Sequence, residues 1–164
     1  MRIRDTTTAD LDRVMEIYAT ARAFMAAHGN PNQWGPTNWP PRELIEQDIA
    51  VGKHHVCEED GRVVACFFFD SGTCVEPTYA EIDDGAWVGD DTYGVVHRIA
   101  SDGTVRGAGS ACIKWAHEQC GHLRIDTHED NIPMQNLLTK LGFVRCGIIY
   151  VYEDRYPRIA FELV

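Results

Sequence analysis

The sequence has 164 residues, 45% of them hydrophobic, and a formal net charge of −10 from 25 acidic against 15 basic residues. A chain of this length can bury one core without disulfides or bound metal, so we expect a single domain over residues 1–164. The acidic balance argues against nucleic-acid and anionic-membrane partners, because both are bound through basic patches.

Residues 1–70 carry patterns typical of two helices and three strands. Polar residues from Asp5 to Asp10 provide helix-start chemistry, and apolar residues then recur at helical spacing. Prolines and glycines break any regular element between His28 and Pro41, so we predict a long ordered loop or lid there. The predicted elements are a short strand from Ile3, a helix to about Ala27, a helix from Pro41 through Ile49 that ends at Gly52, and strands near His55–Glu58 and Val63–Asp70 joined by a turn at Glu59-Asp60-Gly61.

The rest of the chain alternates strands with helices after an irregular, acid-rich segment from Cys74 to Asp91. The predicted elements are a strand over Val95–Ala100, a helix that begins within Arg106–Ala111, a strand over Leu123–Thr127, a helix from about Pro133 to Leu141 stopped by Gly142, and strands near Cys146–Tyr152 and Arg158–Leu163. The order of elements predicts an α/β (α+β) fold, with a mixed, mostly antiparallel sheet of about seven strands and helices on both faces.

The glycine-bearing turn before the third helix is the most informative local feature. Gly107 and Gly109 lie where the chain enters the helix, and the outward N–H groups and dipole of a helix start favour an anion such as phosphate. The dinucleotide fingerprint is not met, because Cys112 stands where its third glycine should be. A Walker A loop is disfavoured as well, since no lysine separates Gly109 from Ser110.

Two motifs in succession instead resemble the GNAT N-acetyltransferase superfamily. Arg106, Gly109 and Ala111 match the Arg/Gln-x-x-Gly-x-Gly/Ala loop that holds the pyrophosphate of acetyl-CoA in that family. The family's second motif is a strand followed by asparagine, a short helix and Gly-Phe, and it is matched by Asn131, Leu137, Lys140, Gly142 and Phe143. The order and separation of the two motifs also agree. The resemblance is strong over residues 95–161 and only architectural upstream.

The resemblance implies the GNAT fold and an acetyl-CoA-dependent enzyme that acetylates a primary amine by direct attack in a ternary complex. In the family, the strands corresponding to Val95–Ala100 and Leu123–Thr127 splay apart, and the pantetheine arm lies between them. An N–H near Ile99 would then face the thioester oxygen. The residues implied to bind the cofactor are Ile99, Ala100 and Ser101 along the pantetheine, Arg106, Gly107, Ala108, Gly109, Ser110 and Ala111 at the pyrophosphate, and Asn131 beside the CoA arm.

Amine acetylation needs a group that removes the ammonium proton, and two side chains are candidates. His97 lies on the strand implied to carry the thioester, and imidazole ordinarily has a pKa near 6.5. Alternation places His97 on one face of the strand with Val95 and Ile99. The alternative to a catalytic role is that this face is buried and His97 is a core histidine with its hydrogen bonds satisfied. Asp126 matches a strand position that is an acidic base in some members of the family. His128 follows it, and ordinary solvated or capping roles remain open for both.

The chain departs from the family at the group that protonates the departing thiolate. Many members carry a tyrosine seven residues after the asparagine, and this sequence has Leu138 there. Tyr150 or Tyr152 on the following strand could replace it, or the thiolate could leave unprotonated, since a thiol with a pKa near 8.5 is a tolerable leaving group. A non-catalytic acyl-CoA-binding or sensor module is the alternative function.

Four aromatic residues in irregular segments are candidates for binding the acceptor, and they are Trp34, Trp39, Tyr79 and Trp87. Aromatic walls with carboxylates nearby suit an organic ammonium through apolar contact, cation–π attraction and charge pairing. The alternative is that these rings pin long loops onto the core. We expect one or two of them to line the acceptor cleft, and the amine could belong to a small molecule or a peptide.

No metal site and no membrane segment are expected. The six cysteines lie at irregular spacings, which indicates reduced, buried residues, and His54-His55 beside Cys57 has no second ligand cluster at zinc spacing. The N-terminus lacks an apolar signal segment, so we expect a cytoplasmic protein. Members of the family often dimerise through edge strands, and the sequence leaves the oligomeric state open.

Overall fold

The computed structural model describes residues 1–89, 92–152 and 156–164. Within these residues it has seven strands and four α-helices, with short 3-10 helices at Thr8–Asp10 and Pro77–Ala80. The elements are β1 (Arg2–Asp5), α1 (Leu11–Ala27), α2 (Arg42–Ala50), β2 (His54–Glu59), β3 (Arg62–Gly72), β4 (Tyr93–Ser101), α3 (Ala108–Cys120), β5 (Leu123–Thr127), α4 (Ile132–Lys140), β6 (Val144–Tyr150) and β7 (Pro157–Leu163).

The strands form one mixed sheet in the order β1-β2-β3-β4-β5-β7-β6. β4 and β5 are parallel, with Gly94 opposite Leu123 and Val95 opposite Arg124. The pairs β1–β2, β2–β3, β5–β7 and β6–β7 are antiparallel. The predicted fold class, a mixed and mostly antiparallel seven-stranded sheet with helices, is therefore confirmed.

The chain divides into two compact units. The first consists of Met1–Phe69 and Val96–Trp115, and the second of Asp70–Val95 and Ala116–Val164. Strand β4 thus contributes its first three residues to the second unit and the remainder to the first. The core of the first unit forms where α1 and α2 bury their apolar stripes, and its buried members are Leu11, Val14, Ile17, Tyr18, Ile45, Val56, Val63, Cys66 and Ala100.

The second unit combines an aliphatic core with a buried group of charges. Leu138 of α4 and Ile149 of β6 are fully buried. The carboxylate of Glu162, also fully buried, accepts a 2.9 Å hydrogen bond from Nε of Arg124 and lies 2.6 Å from Nε2 of His122. Charged groups are buried only when they are paired, and these three residues satisfy one another.

The predicted helices and strands are all present, and their observed ends lie within two residues of the predicted ones. Strand β6 ends at Tyr150, so the prediction that it reaches Tyr152 is wrong. The segment from Cys74 is irregular as predicted, apart from the 3-10 helix and a bridge between Asp83 and Ile148, and its last two residues, Asp90 and Asp91, lie outside the described residues. Among the described residues, no helix combines the length and apolar character needed to cross a membrane.

Candidate functional site

The turn that enters α3 has the geometry expected of an anion-binding helix start. Gly107 has φ +88°, in the left-handed region that favours glycine, and α3 begins at the next residue, Ala108. A Cβ atom at Gly107 would meet only Cε of Met1, at 3.9 Å, so the backbone conformation rather than crowding requires glycine. Arg106 is exposed and Gly109 is half-buried. The first N–H groups of any helix lack partners one turn back, and those of α3 follow this turn directly.

Asp102 holds the loop that precedes this turn. Its carboxylate accepts hydrogen bonds from the backbone N–H of Thr104 at 2.9 Å and from the Thr104 hydroxyl at 2.6 Å. It also pairs with Arg62 at 2.8 Å and with Arg13. Burial alone would raise the pKa of Asp102, but the hydrogen bonds from Thr104 and Arg62 and the charge of Arg13 lower that pKa to about 2. The role of Asp102 could not be predicted from the sequence, because its two charged partners, Arg13 and Arg62, lie far from it along the chain.

Strand β4, which carries His97, is irregular at Arg98. That residue has φ +52°, which is uncommon for a side chain with a Cβ. The ring centroid of His97 lies 6.0 Å from that of Phe68, and the guanidinium carbon of Arg98 lies 4.6 Å from the same centroid. Neighbours in a regular strand point to opposite faces. The predicted alternation therefore does not continue regularly from His97 to Ile99, because the left-handed residue lies between them. The placing of Val95 and His97 on one face stays a prediction.

The residues that follow Arg98 in β4 are buried or half-buried. Ala100 is buried within the core of the first unit, whereas Ile99 and Ser101 are half-buried. The backbone N–H of Asp102 donates to the carbonyl of Val64 at 3.0 Å, which fixes the end of the strand. These contacts hold in place the main chain that the sequence analysis assigned to the pantetheine arm.

In the second unit, three predicted site residues lie together. The hydroxyl of Tyr79 donates a 2.6 Å hydrogen bond to Oδ1 of Asp126, and Nε1 of Trp87 donates to the carbonyl of Tyr79 at 2.9 Å. The ring centroids of Tyr79 and Trp87 are 5.1 Å apart. Burial raises the pKa of Tyr79 well above its usual range, and the charge of Asp126 raises it further. Tyr79 is therefore a protonated donor to the half-buried carboxylate that we predicted as a base.

The two tryptophans of the long loop are attached to α1. The ring of Trp34 packs edge-on against Tyr18 with centroids 5.9 Å apart. The backbone N–H of Trp39 donates to the carbonyl of Trp34 at 3.0 Å, and Arg22 donates to the carbonyl of Trp39 at 3.1 Å. Both residues are half-buried, and these contacts agree with the pinning role that the sequence left open. Their contact with an acceptor stays a prediction.

The remaining predicted residues lie at or near α4 and β6. Asn131 caps α4, because its Oδ1 accepts from the N–H of Met134 at 3.3 Å. His128 is buried, its Nδ1 accepts from the N–H of Asp130 at 3.1 Å, and its ring stacks on Tyr156. Tyr150, at the end of β6, is 49% exposed. The described residues contain no cluster of three or more His, Cys, Asp or Glu side chains able to hold a metal ion.

Comparison with solved structures shows that the fold of this chain is similar to that of acetyltransferases. A GNAT-family acetyltransferase from Streptococcus agalactiae is 32% identical to this chain, with a TM-score of 0.88 and coverage of 99% of this chain and 94% of that one. A GNAT-family acetyltransferase from Listeria monocytogenes has a TM-score of 0.69 at 18% identity, with coverage of 99% and 94%. A ribosomal-protein-alanine N-acetyltransferase from Brucella melitensis has a TM-score of 0.62 at 19% identity, with coverage of 100% and 99%.

The last two similarities, at this level of identity, show the fold alone. The Streptococcus agalactiae protein is more similar to this chain in sequence than the other two, at 32% identity, and the similarity covers 94% of its length. In sequence comparison, no protein-family model and no curated protein matches the chain.

Proposed function

The chain belongs to the GNAT family of acetyltransferases, and from that premise we propose that it transfers the acetyl group of acetyl-CoA to a primary amine by direct attack in a ternary complex. The observation that carries the proposal is the left-handed Gly107 immediately before α3. This turn gives a diphosphate close access to backbone N–H groups at the positive end of the helix.

The residues of the turn fit acetyl-CoA. The exposed Arg106 supplies a positive charge, and beside Gly107 only Cε of Met1 lies within 4 Å of the position that a Cβ would take. We assign Arg106, Gly107, Ala108, Gly109, Ser110 and Ala111 to the pyrophosphate, Ile99, Ala100 and Ser101 to the pantetheine, and Asn131 to the CoA arm. Acetyl-CoA supplies the thioester carbonyl that the amine attacks. The protein supplies main-chain N–H groups for the developing oxyanion.

His97 is our first assignment for the base that takes the ammonium proton, directly or through one water. Asp126 is the second, and its hydrogen bond from Tyr79 holds one carboxylate oxygen in place. As the new C–N bond forms and the C–S bond breaks, the thiolate leaves with the electron pair. Tyr150 is the tyrosine that we assign to protonate it. We assign the acceptor to a small-molecule or peptide amine and its contacts to Trp34, Trp39, Tyr79 and Trp87.

Direct attack makes a kinetic prediction of its own. A ternary complex gives intersecting double-reciprocal plots when acetyl-CoA and amine are varied together. A covalent acetyl-enzyme gives parallel plots and an acetylated protein in the absence of amine. We expect intersecting plots and no acetyl adduct by intact-protein mass spectrometry.

A second function, a non-catalytic acyl-CoA-binding module, is favoured by one observation. Position 138, where many family members carry the tyrosine that serves the thiolate, holds a fully buried leucine. Isothermal titration with acetyl-CoA, followed by a thiol-release assay across a panel of amines, separates the two functions. We expect binding and turnover. Binding without turnover on any amine supports the module, and absence of binding contradicts both functions.

A further inference from the structure

A continuous chain of hydrogen bonds joins Thr6 to the main chain of Arg98 inside the first unit. Oγ1 of Thr6 lies 2.8 Å from Nδ1 of His54, and Nε2 of His54 lies 3.1 Å from the hydroxyl of Tyr18. That hydroxyl donates to the carbonyl of Arg98 at 2.9 Å. Thr6, His54 and Tyr18 are all buried. The chain ends on the irregular residue of β4, next to His97 and Ile99.

The direction of every hydrogen bond in this chain is determined. The Tyr18 hydroxyl has one proton, which goes to the Arg98 carbonyl, so its oxygen accepts from Nε2–H of His54. Nδ1 of His54 then has no proton and accepts from the Thr6 hydroxyl. Burial, with the charge of Arg98, lowers the pKa of His54 to about 3, which keeps the ring in the neutral form that this arrangement requires.

The Arg98 side chain is held as firmly as its carbonyl. Its Nη2 donates to Oδ2 of Asp48 at 2.5 Å, and its guanidinium lies over the ring of Phe68. A residue with a Cβ at positive φ is strained, and such a conformation persists only where its surroundings impose it. Contacts from α1 and α2 therefore impose a main-chain conformation that Arg98 would not adopt alone.

The carbonyl contact also determines the direction of a neighbouring donor. In a planar trans peptide the C=O of one residue and the N–H of the next point in opposite directions. Since the Arg98 carbonyl points at Tyr18, the N–H of Ile99 points away from Tyr18. The family resemblance implies that an N–H near Ile99 faces the thioester oxygen, and the N–H of Ile99 itself is the one whose direction this peptide determines.

We infer that Tyr18, supported by His54 and Thr6, is a positioning residue for acetyl transfer, because it orients the peptide that carries the oxyanion-binding N–H of Ile99. The inference rests on the proposed function. The chain does not relay protons, since it ends on a carbonyl. Tyr18 instead aligns the N–H of Ile99, a hydrogen-bond donor that contributes most when negative charge develops on the thioester oxygen.

Tyr18→Phe tests the inference, because it keeps the ring and its packing on Trp34 and removes only the hydroxyl. We expect kcat to fall roughly 10- to 100-fold, with the KM and the dissociation constant for acetyl-CoA unchanged. The shape of the pH–rate profile should also be unchanged. Thr20→Val is a matched control on the same helix, since it removes an exposed hydroxyl bonded to the carbonyl of Glu16, and it should leave kcat unaltered.

Two His54 variants provide an independent measurement if Tyr18→Phe folds poorly. His54→Gln keeps an N–H that can donate to Tyr18, whereas His54→Leu removes that donor, so glutamine should restore part of the kcat lost with leucine. Wild-type kcat in Tyr18→Phe, or equal kcat in the two His54 variants, overturns the role of Tyr18 and leaves the proposed function standing. Absence of turnover by the wild-type protein on every amine overturns both the inference and the proposed function.

Discussion

Tyr79 and Asp126 are joined by a 2.6 Å hydrogen bond, although 47 positions separate them along the chain. The bond connects the acid-rich segment after β3 to strand β5, and Trp87 packs on the same tyrosine. The carboxylate that we assign as a second base therefore also anchors a loop that we assign to the acceptor. Different substitutions of Asp126 therefore separate its contribution to stability from its contribution to catalysis.

Asp126→Ala should lower the free energy of unfolding by about 1–3 kcal/mol, because the buried Tyr79 hydroxyl loses this acceptor. Asp126→Asn keeps an acceptor oxygen and should cost less, while it removes the negative charge that a base requires. Urea unfolding of both variants, with Tyr79→Phe for comparison, measures the difference. Equal losses of stability for Ala and Asn would contradict a structural role for the hydrogen bond.

The sequence was most informative where a structural feature depends on neighbouring residues. The bounds predicted for β5, Leu123–Thr127, agree with the structure because Gly121 and the polar residues from His128 enclose a short strand in which apolar and polar side chains alternate from Leu123 to Asp126. The start of α3 was likewise predictable, since only glycine readily adopts the conformation found at Gly107.

Features that depend on distant partners could not be predicted in the same way. The left-handed Arg98 lies in a stretch that alternates like an ordinary strand, and its conformation is imposed by Tyr18 and Asp48. The buried carboxylate of Glu162 is another example, because its sequence neighbours do not reveal that Arg124 will pair with it. Charged residues are usually exposed, so only the folded chain shows that these are internal.

Gly109→Leu should abolish binding of acetyl-CoA and leave the fold intact. A leucine in the first turn of α3 places a side chain where we propose that the pyrophosphate approaches the backbone. Glu118→Leu, a substitution at an exposed position near the other end of α3, is the matched control and should bind normally. Isothermal titration measures both, with circular dichroism to confirm folding, and normal affinity in Gly109→Leu would remove the phosphate assignment.

Leu138→Tyr should destabilise the protein by roughly 1–3 kcal/mol, because position 138 is fully buried and the larger, polar side chain must be accommodated in a packed core. We expect no gain in the rate of thiol release. Thermal unfolding and the thiol-release assay are the measurements. A variant that is as stable as wild type and faster would show instead that this position reaches the coenzyme sulfur.

His97→Ala should lower kcat/KM by roughly 10²–10⁴-fold if His97 is the general base, and the limb of the pH–rate profile that reports the base should disappear. His97→Gln, which keeps a polar side chain of similar length, should show the same loss, because glutamine cannot accept the proton. The pH–rate profile of Asp126→Asn, measured in parallel, shows whether the carboxylate of Asp126 or the imidazole of His97 controls that limb. A wild-type profile in His97→Ala would leave Asp126 as the base.

Acidification should destabilise the protein well above the pH at which carboxylates titrate, and His54 is the main cause. Burial, with the charge of Arg98, lowers the pKa of His54 to about 3 in the folded state, whereas an unfolded histidine has a pKa near 6.5. Between these values the unfolded chain binds the extra proton, so stability is complete above pH 6.5 and is lost as the pH falls. One such group lowers the free energy of unfolding by about 2 kcal/mol from pH 8 to pH 5.

Urea unfolding between pH 8 and pH 5 tests this origin, because ordinary carboxylates titrate below that range. Asp48, whose pKa burial raises in the folded state, becomes protonated more readily in the folded chain and so opposes the loss of stability. His54→Gln should unfold more readily at pH 8, since glutamine cannot reproduce both ring contacts, and its stability should then change less with pH than that of the wild type. His55, whose pKa is also lowered by burial, contributes in the same direction as His54. If His54→Gln kept the full wild-type dependence on pH, the proton would be binding elsewhere, and the neutral, directed hydrogen-bond chain from Thr6 to Arg98 would lose its support.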